Sequence, residues 1–576
     1  MIPIIPISAS APNKQRKRQF AKGRQTDVAA LQQIQELLGQ ASRQKDLLIE
    51  HLHKINDHFG HLPVTHLVAL AQEMRLAQAE VFEVASFYHH FEIRTEEAVE
   101  DSRLRLRVCD SLSCEMAGAN QLIEKLGLHF ADKNLKIEPV PCIGRCEQAP
   151  AACLEQNELP FASIATVEAA MQNAIITPQL NDDRIAHLDF DNYQAQGGYQ
   201  ILQDCMQGKI DKESLFKLME DSGLRGLGGA GFPAGRKWRL VAAEAAPRLM
   251  AVNIDEGEPG TFKDRTYLEK NPHQFLEGML IAAWVVGISE IYIYLRDEYH
   301  ACRQILEAEL NQLRRSTLMQ NQPRIHLRRG AGAYICGEES AMIESIEGKR
   351  GLPRLRPPYV AQVGLFGRPT LEHNFETLYW VTTLIQKGAQ WFTSEGRNGR
   401  TGVRSFSVSG RVKKPGVHLA PAGISLTELI NEFAGGMLVG HELYAYLPGG
   451  ASGGILPASL AHVPLDFDTL QPYGCFIGSA AIIVLSQHDS AVMAARNTMA
   501  FFKHESCGQC TPCRAGTARA LEIIEKEVWD IPLLEDLSQV MRDASICGLG
   551  QAAPNPVDCV IKYFPHELIK NQGAQT

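Results

Sequence analysis

The sequence has 576 residues, 45% of them hydrophobic and 21% charged, with a formal net charge of −9. At roughly 100–200 residues per domain, this length predicts three to five domains of ordinary globular composition. The acidic balance excludes a nucleic-acid footprint, no run of about 18 apolar residues suggests a membrane span, and 14 cysteines are too few for a disulfide scaffold in so long a chain.

The opening "MIPIIPISASAP" is apolar but broken by prolines, and no positive n-region precedes it. A secretory signal is therefore not expected, and the location read from the sequence is cytoplasmic. Lys14 to Arg24, "KQRKRQFAKGR", makes residues 1–25 a basic arm that is either a flexible tail or a docking segment for a partner. In a reducing compartment, clustered cysteines are metal or cluster ligands.

Residues 26–100 are predicted to form a helical bundle. From Phe59 to Phe91 apolar residues recur every three or four positions, and the simplest role for them is a core of their own. Residues 101–175 carry the first cysteine group, Cys109-x4-Cys114 and Cys142-x3-Cys146. "LRLRVC" alternates and reads as a strand ending at Cys109. "EMAGANQLIEKLG" reads as a helix beginning just after Cys114, and "LKIEPVPC" as a strand ending near Cys142. Two pairs of thiolates suit a [2Fe–2S] cluster, one pair per iron, with zinc as the rival on spacing alone. Strand–helix–strand with cysteines at the strand ends resembles the thioredoxin-like ferredoxin fold. Residues 176–199 read as an interdomain linker.

Residues 200–400 are predicted to be a ligand-binding α/β domain with four polar knots. The first is "RGLGGAGFPAGRKW", with Gly226, Gly228 and Gly231 spaced as G-x-G-x-x-G. A helical pattern precedes it instead of a strand, which disfavours a dinucleotide-binding fingerprint. A glycine loop still exposes backbone N–H groups to phosphate, with Lys237 as a nearby charge. The second knot is Asp255, Glu256 and Glu258, just past the strand "LMAVNI". Carboxylates there suit hydroxyl-rich ligands. The third is Tyr334, Gly337, Glu338 and Glu339 at a strand-to-helix turn, and the fourth is "HNFETL" from His373. Each has a plainer reading: a surface loop, a solvated acidic loop, or acids favoured at a helix start.

Residues 401–489 read as strand, turn, strand, helix and further strands, a small β-grasp module. Residues 490–576 read as helical and carry "HESCGQCTPCRAGT". Cys507, Cys510 and Cys513 stand three apart, and Cys547 follows in "SICGLG". Three thiolates in one turn and a fourth from another segment match the corners of a [4Fe–4S] cubane better than the paired spacing of structural zinc. The remaining cysteines, Cys153, Cys205, Cys302, Cys336, Cys475 and Cys559, lack ligand spacing and are expected to be small buried hydrophobes.

On these residues the chain resembles a known family over most of its length. Residues near 26–175 look like the thioredoxin-like [2Fe–2S] subunit of respiratory NADH dehydrogenase, complex I. Residues near 200–576 look like its FMN- and NADH-binding flavoprotein subunit. "GAGFPAGRKW", "YICGEES", "ESCGQCTPCRAGT" and "CGLGQAAPNPV" carry the match. The fusion of both modules is similar to the diaphorase flavoprotein subunits of cytoplasmic NAD-reducing [NiFe] hydrogenases. The fold class expected is thus multidomain α/β and α+β: helical bundle, thioredoxin-like ferredoxin, FMN-binding α/β, β-grasp and helical [4Fe–4S] domains.

The resemblance implies one FMN, one [2Fe–2S] cluster on Cys109, Cys114, Cys142 and Cys146, and one [4Fe–4S] cluster on Cys507, Cys510, Cys513 and Cys547. It implies FMN contacts from Gly226, Gly228, Gly229, Lys237, Asn253, Asp255, Glu258, Tyr334, Gly337, Glu338 and Asn374. NAD(H) would lie near Phe232, Glu258, Glu339 and Tyr359. The chemistry implied is hydride exchange between NAD(H) and FMN, then single-electron transfer to iron–sulfur clusters, with no side chain as acid, base or nucleophile. Glu258 and Glu339 would orient the nucleotide. The partners implied are an iron–sulfur electron-transfer subunit and hydrogenase subunits of a hetero-oligomer, with neither nucleic acid nor membrane insertion. The sequence departs from the family at Leu227, where Arg is usual, and at His373-Asn374, where two asparagines are usual. The alternatives are the diaphorase of an NAD-dependent formate dehydrogenase, a fused complex I module, a non-enzymatic iron–sulfur relay or scaffold, and a zinc-stabilised interaction protein.

Overall fold

The computed structural model describes residues 23–95, 104–176 and 186–570. Most of the basic arm and residues 177–185 of the expected linker lie outside the described residues. The chain divides into two compact units, Met1–Ser86 with Phe91–Ala98, and Phe87–His90 with Val99–Thr576.

The first unit is helical, with helices Val28–Leu38, Leu48–Phe59, Val64–Met74 and Gln78–Ala85. Asp27 caps the first by accepting the Ala30 N–H at 2.8 Å, and Gly60 ends the second at φ 73°. Leu70 and Val81 are fully buried, as the three- and four-residue spacing from Phe59 to Phe91 predicts, and Ile34 and Leu52, outside that stretch, are fully buried too.

The second unit begins with a four-stranded sheet in the order Leu135–Val140, Leu104–Cys109, Ala152–Leu154, Asn157–Leu159. The first pair is parallel, with Cys109 opposite Val140, and the other pairs are antiparallel. Helix Ala119–His129 connects the parallel strands, as such a pair requires of its crossover. Cys114 lies inside a short helix, Leu112–Met116, so the turn of helix starts before this cysteine and not after it.

Part of the expected linker is packed. Asp189 caps helix Phe190–Ala195, whose Tyr193 is buried and donates to Glu277 at 2.6 Å. Nothing in the sequence near Tyr193 points to Glu277, so the tertiary partner that orders this stretch has no local signal.

Next come four parallel strands in the order Thr370–Asn374, Arg248–Ile254, Ile288–Leu295, Arg324–Arg329. Strand Arg248–Ile254 has a near-continuous apolar run, fitting a strand covered on both faces. Helix Pro272–Val286 is buried on nearly every side, with Pro272 in its first turn, Asn271 as cap and Gly287 at its end. It packs against helix Phe375–Lys387 over one shared core. The region expected to be β-grasp holds a five-stranded mixed sheet, Gly416–Pro421, Val403–Gly410, Ala481–Ser486, Leu443–Leu447, Leu456–Pro457. Helices Ala491–Glu505, Thr511–Ile524, Ile531–Ala544 and Asn555–Tyr563 follow, and their apolar faces share a core with that sheet.

Candidate functional site

The strand that is last in sequence, Thr370–Asn374, lies beside the first, Arg248–Ile254, so the order of the sheet reverses between them. Ligands of open α/β sheets bind outside the carboxyl ends of strands at such a switch. A cleft of about 310 Å³ opens there, within the usual range of small-molecule sites.

Four sequence segments converge on it. Gly228 and Gly229 come from the glycine loop, Asn253, Asp255 and Glu258 from the first strand's end, Tyr334, Gly337 and Glu338 from the turn before helix Glu339–Ile346, and Asn374 from the last strand. Gly229 has φ 132°, a conformation that side chains disfavour, and a Cβ on Gly228 would stand 3.0 Å from the Asn374 Cβ. Asn253 ties two of these segments together, donating to the Gly337 carbonyl at 2.8 Å and accepting the Asp255 N–H at 3.0 Å. Asn374 caps helix Phe375–Lys387 through the Thr377 N–H and donates to Asp264 at 3.0 Å.

Of the other residues singled out from the sequence, Glu256 also lines the cleft and the rest do not. Gly226 closes the loop by donating to the Phe232 carbonyl at 2.8 Å, and Phe232 is 38% exposed. Lys237 is held by the Glu372 carbonyl and carboxylate at 3.0 and 3.2 Å. Glu339 pairs with Arg356 at 3.1 Å, and Tyr359 is 55% exposed. Leu227 is buried in the core below the loop, while its N–H donates to Thr377. His373 is buried and accepts the Trp238 indole N–H at 2.8 Å. Burial keeps that imidazole neutral, which the indole donor requires. Only Asn374 of the pair therefore reaches the cleft.

Residues without any local sequence signal complete the walls. Ser452, Phe476, Gly478 and Ser479 enter from the β-grasp region, Ser452 standing 194 positions from Glu258. The Ser452 N–H and hydroxyl donate to Glu258 at 2.7 and 2.8 Å, and the Tyr334 hydroxyl donates to its other oxygen. Burial raises the Glu258 carboxyl, and these three donors oppose it. Lys263 also lines the cleft, buried among Asp264 at 2.6 Å, Glu376 at 3.2 Å and Glu256 at 3.8 Å. Burial pushes Asp264 up to about 8 against the attraction of Lys263. The run "FKDR" gives no hint of this, because charged residues on a helix usually face water.

Cys109, Cys114, Cys142 and Cys146 are all buried, and the Cys142 and Cys146 sulfurs approach to 3.3 Å. Cys142 is held well below the ordinary thiol range by the Cys109 and Cys146 thiols and, among charges, by Arg296. Cys507, Cys510, Cys513 and Cys547 line one small cavity closed by Ile335, Pro353 and Leu549. Ile335 and Leu549 also line the cleft, so a single layer of side chains separates the two. The other six cysteines are buried, as expected of small hydrophobes. Two of them are also neighbours, since the Cys475 and Cys559 sulfurs lie 3.5 Å apart.

These residues fit the groups the sequence implies. Asp255 Oδ2 is buried without a hydrogen-bond partner, as a hydroxyl-rich ligand chain would require of its acceptor. The glycine loop presents backbone without side-chain bulk, and both cysteine sets offer sulfur alone. Family models match in three places. The Nuo51 FMN-binding domain covers residues 219–383, the NADH-ubiquinone oxidoreductase-F iron–sulfur binding region 493–571, and the thioredoxin-like [2Fe–2S] ferredoxin 34–174. An NADH-quinone oxidoreductase-F protein of Rhizobium meliloti (strain 1021), the second of that name, is 40% identical over 391 residues, 66% of this chain and 93% of that protein. The NADH-quinone oxidoreductase-F protein of Aquifex aeolicus (strain VF5) is 38% identical over 66% of this chain and 90% of its own length. A solved NAD+-reducing [NiFe]-hydrogenase in its H2-reduced state contains a chain 31% identical, with a TM-score of 0.81, over 92% of this chain and 93% of that one. No helix among the described residues is long and apolar enough to cross a membrane. The chain belongs to the NADH-quinone oxidoreductase-F family, extended at its N-terminal side by a thioredoxin-like [2Fe–2S] ferredoxin, and is an FMN- and iron–sulfur-dependent NAD(H) oxidoreductase.

Proposed function

We propose that this chain is the NAD(H)-reactive diaphorase subunit of a cytoplasmic NAD+-reducing [NiFe] hydrogenase, exchanging electrons with an iron–sulfur partner subunit. The observation that carries this reading is extent. The hydrogenase chain aligns over 92% of these residues, ferredoxin portion included, whereas the oxidoreductase-F relatives account for about two thirds. A fused NADH-quinone oxidoreductase module is the second reading, favoured by the higher identity of those relatives.

When bound, FMN converts the two-electron chemistry of NAD(H) into the one-electron chemistry of clusters. The chain's own residues bind and orient. Gly228 and Gly229 would offer backbone N–H groups to the FMN phosphate, while Asn253, Asp255 and Asn374, which line the same cleft, would meet its hydroxyl-bearing chain. Glu258 stands in the cleft wall, its carboxylate fixed by Tyr334 and Ser452. It orients the nicotinamide end of the nucleotide and transfers no proton. Glu339, on the helix that Glu338 caps, and the exposed rings of Phe232 and Tyr359 provide the outer nucleotide contacts. Gly226 and Lys237 act from behind the cleft, the first by closing the loop, the second from its seat on the Glu372 carbonyl and carboxylate. The four C-terminal cysteines, behind Ile335 and Leu549, would hold a [4Fe–4S] cluster, and the four N-terminal ones would hold a [2Fe–2S] cluster.

The test is isolation of the complex from native cells under anaerobic conditions, with analysis for nickel, molybdenum and tungsten. The expected result is stoichiometric nickel and hydrogen-dependent reduction of NAD+. Molybdenum or tungsten with formate-dependent NADH formation, or a nickel-free quinone-reducing assembly, would overturn it.

A further inference from the structure

A second cavity backs onto the cleft. Asp255, Gly257 and Tyr334 line both, and Cys142 lines the far side of the second. Arg296 spans the gap between them. It follows strand Ile288–Leu295 directly, and its N–H donates to the Ile254 carbonyl at 3.2 Å, so it starts at the cleft's own strand ends. Its guanidinium donates to the Cys142 carbonyl at 2.7 Å and to the Glu256 carbonyl at 2.5 Å, and its Nε donates to Glu298 at 3.1 Å. The residue is 5% exposed.

Two other guanidinium groups touch the Cys142–Cys146 loop. Arg265 donates to the Gly144 carbonyl at 2.9 Å, and Arg145 belongs to the loop itself. Each is matched by two carboxylates, Glu147 and Glu269 for Arg265, Glu158 and Glu269 for Arg145. Arg296 pairs with one carboxylate, Glu298, whose side chain is 30% exposed and therefore screened by solvent. Of the three, Arg296 is the one that donates to the backbone of a cysteine of the cluster set, and the buried Asp255 and Glu505 carboxyls, which burial pushes toward their neutral forms, also feel its charge.

We propose that Arg296 is the positioning and potential-setting residue of the [2Fe–2S] site: a charge supplied by the flavin-binding region that seats Cys142 and favours the reduced form of a cluster held by another domain. The proposal rests on the assignment of Cys109, Cys114, Cys142 and Cys146 as its ligands. Reduction adds one negative charge to the cluster. A fixed cation in a buried, low-dielectric setting stabilises that charge more than it would in water. The same side chain holds the Glu256 carbonyl, so the loop that carries Asp255 and Glu258 and the loop that carries Cys142 are tied to one group.

The experiment is a redox titration of the purified holo complex, followed by electron paramagnetic resonance at temperatures that separate the two clusters. In Arg296→Met the reduced-to-oxidised ratio of the [2Fe–2S] cluster at a fixed potential is expected to fall at least tenfold, about 59 mV for a one-electron couple. The [4Fe–4S] midpoint should stay where it is. Arg296→Lys, which keeps the charge and loses the fork, should shift the [2Fe–2S] cluster less. Glu298→Gln removes the counter-charge from the half-exposed side and should shift it the opposite way. If Arg296→Met fails to assemble the cluster, the lysine and glutamine variants decide the matter by the sign of their shifts. Equal shifts of both clusters, or an unshifted [2Fe–2S] midpoint in Arg296→Met with iron content intact, would overturn the proposal. Absence of any [2Fe–2S] signal in the unaltered protein would instead overturn the ligand assignment.

Discussion

Cys109, Cys114, Cys142 and Cys146 are buried near the ends of two parallel strands, whereas Cys507, Cys510 and Cys547 remain partly exposed on loops between helices. The first set is surrounded by arginines paired with carboxylates from the neighbouring region, and its loop is gripped by Arg265 and Arg296. The second set has one layer of apolar side chains toward the cleft and keeps three of its four cysteines partly open to solvent. One site is built to be internal and electrostatically fixed. The other stands between the cleft and the surface, the arrangement an outlet to a partner subunit requires.

Removing one ligand of the exposed set puts the contrast under the greatest strain. Cys510→Ser should abolish the [4Fe–4S] signal and electron delivery to the partner subunit, while reduction of a small dye by NADH at the flavin persists. Loss of dye reduction in proportion would place the outlet elsewhere. Asp255→Asn comes next. Its carboxyl has an unpartnered buried oxygen at the cleft, burial raises it well above the ordinary carboxylate range, and a hydrogen bond to a neutral group contributes about 0.5–1.5 kcal/mol. Equilibrium dialysis should therefore find FMN dissociation raised about two- to tenfold, with both clusters retained.

Glu339→Gln separates the nucleotide site from the cluster sites. The carboxylate is committed to Arg356 and lies outside the cleft proper. Its expected effect is a rise of roughly tenfold in KM for NADH with kcat little changed, the mark of a group that binds without entering the reaction. An unchanged KM would remove Glu339 from the nucleotide site. Ser452→Ala should have the smallest effect. One neutral donor to Glu258 is lost while its backbone N–H remains, so the cost is about 1 kcal/mol, roughly fivefold in kcat/KM measured with NADH and a dye.

Much of the cleft is legible in the sequence because its parts are short and local. A glycine loop, a strand ending near Asp255, a capped turn at Glu338 and the Asn374 cap each announce themselves within a few residues. The alternation of strand and helix patterns points to the parallel sheet that brings them together. The cysteine groups are legible for the same reason, since ligand spacing is set by cluster geometry. What stays hidden depends on partners far apart in sequence. Ser452 meets Glu258 across 194 positions and Arg296 meets Cys142 across 154. Cys475 and Cys559 lie 84 apart and 3.5 Å distant, and neither carries a spacing signal. Tyr193 orders a stretch that looks like linker because its acceptor, Glu277, is contributed by a helix that otherwise reads as pure core.

If a flavin in the switch-point cleft passes single electrons across Ile335 and Leu549 to a cluster on Cys507, Cys510, Cys513 and Cys547, the two centres must respond to NADH together. The most direct measurement mixes the anaerobic holoprotein with NADH, freezes it within milliseconds, and follows flavin absorbance and the [4Fe–4S] resonance in the same samples. The cluster signal is predicted to rise in step with flavin turnover and ahead of any partner reduction. A flavin that is fully reduced while the [4Fe–4S] cluster stays oxidised at potentials where it accepts electrons would contradict that route.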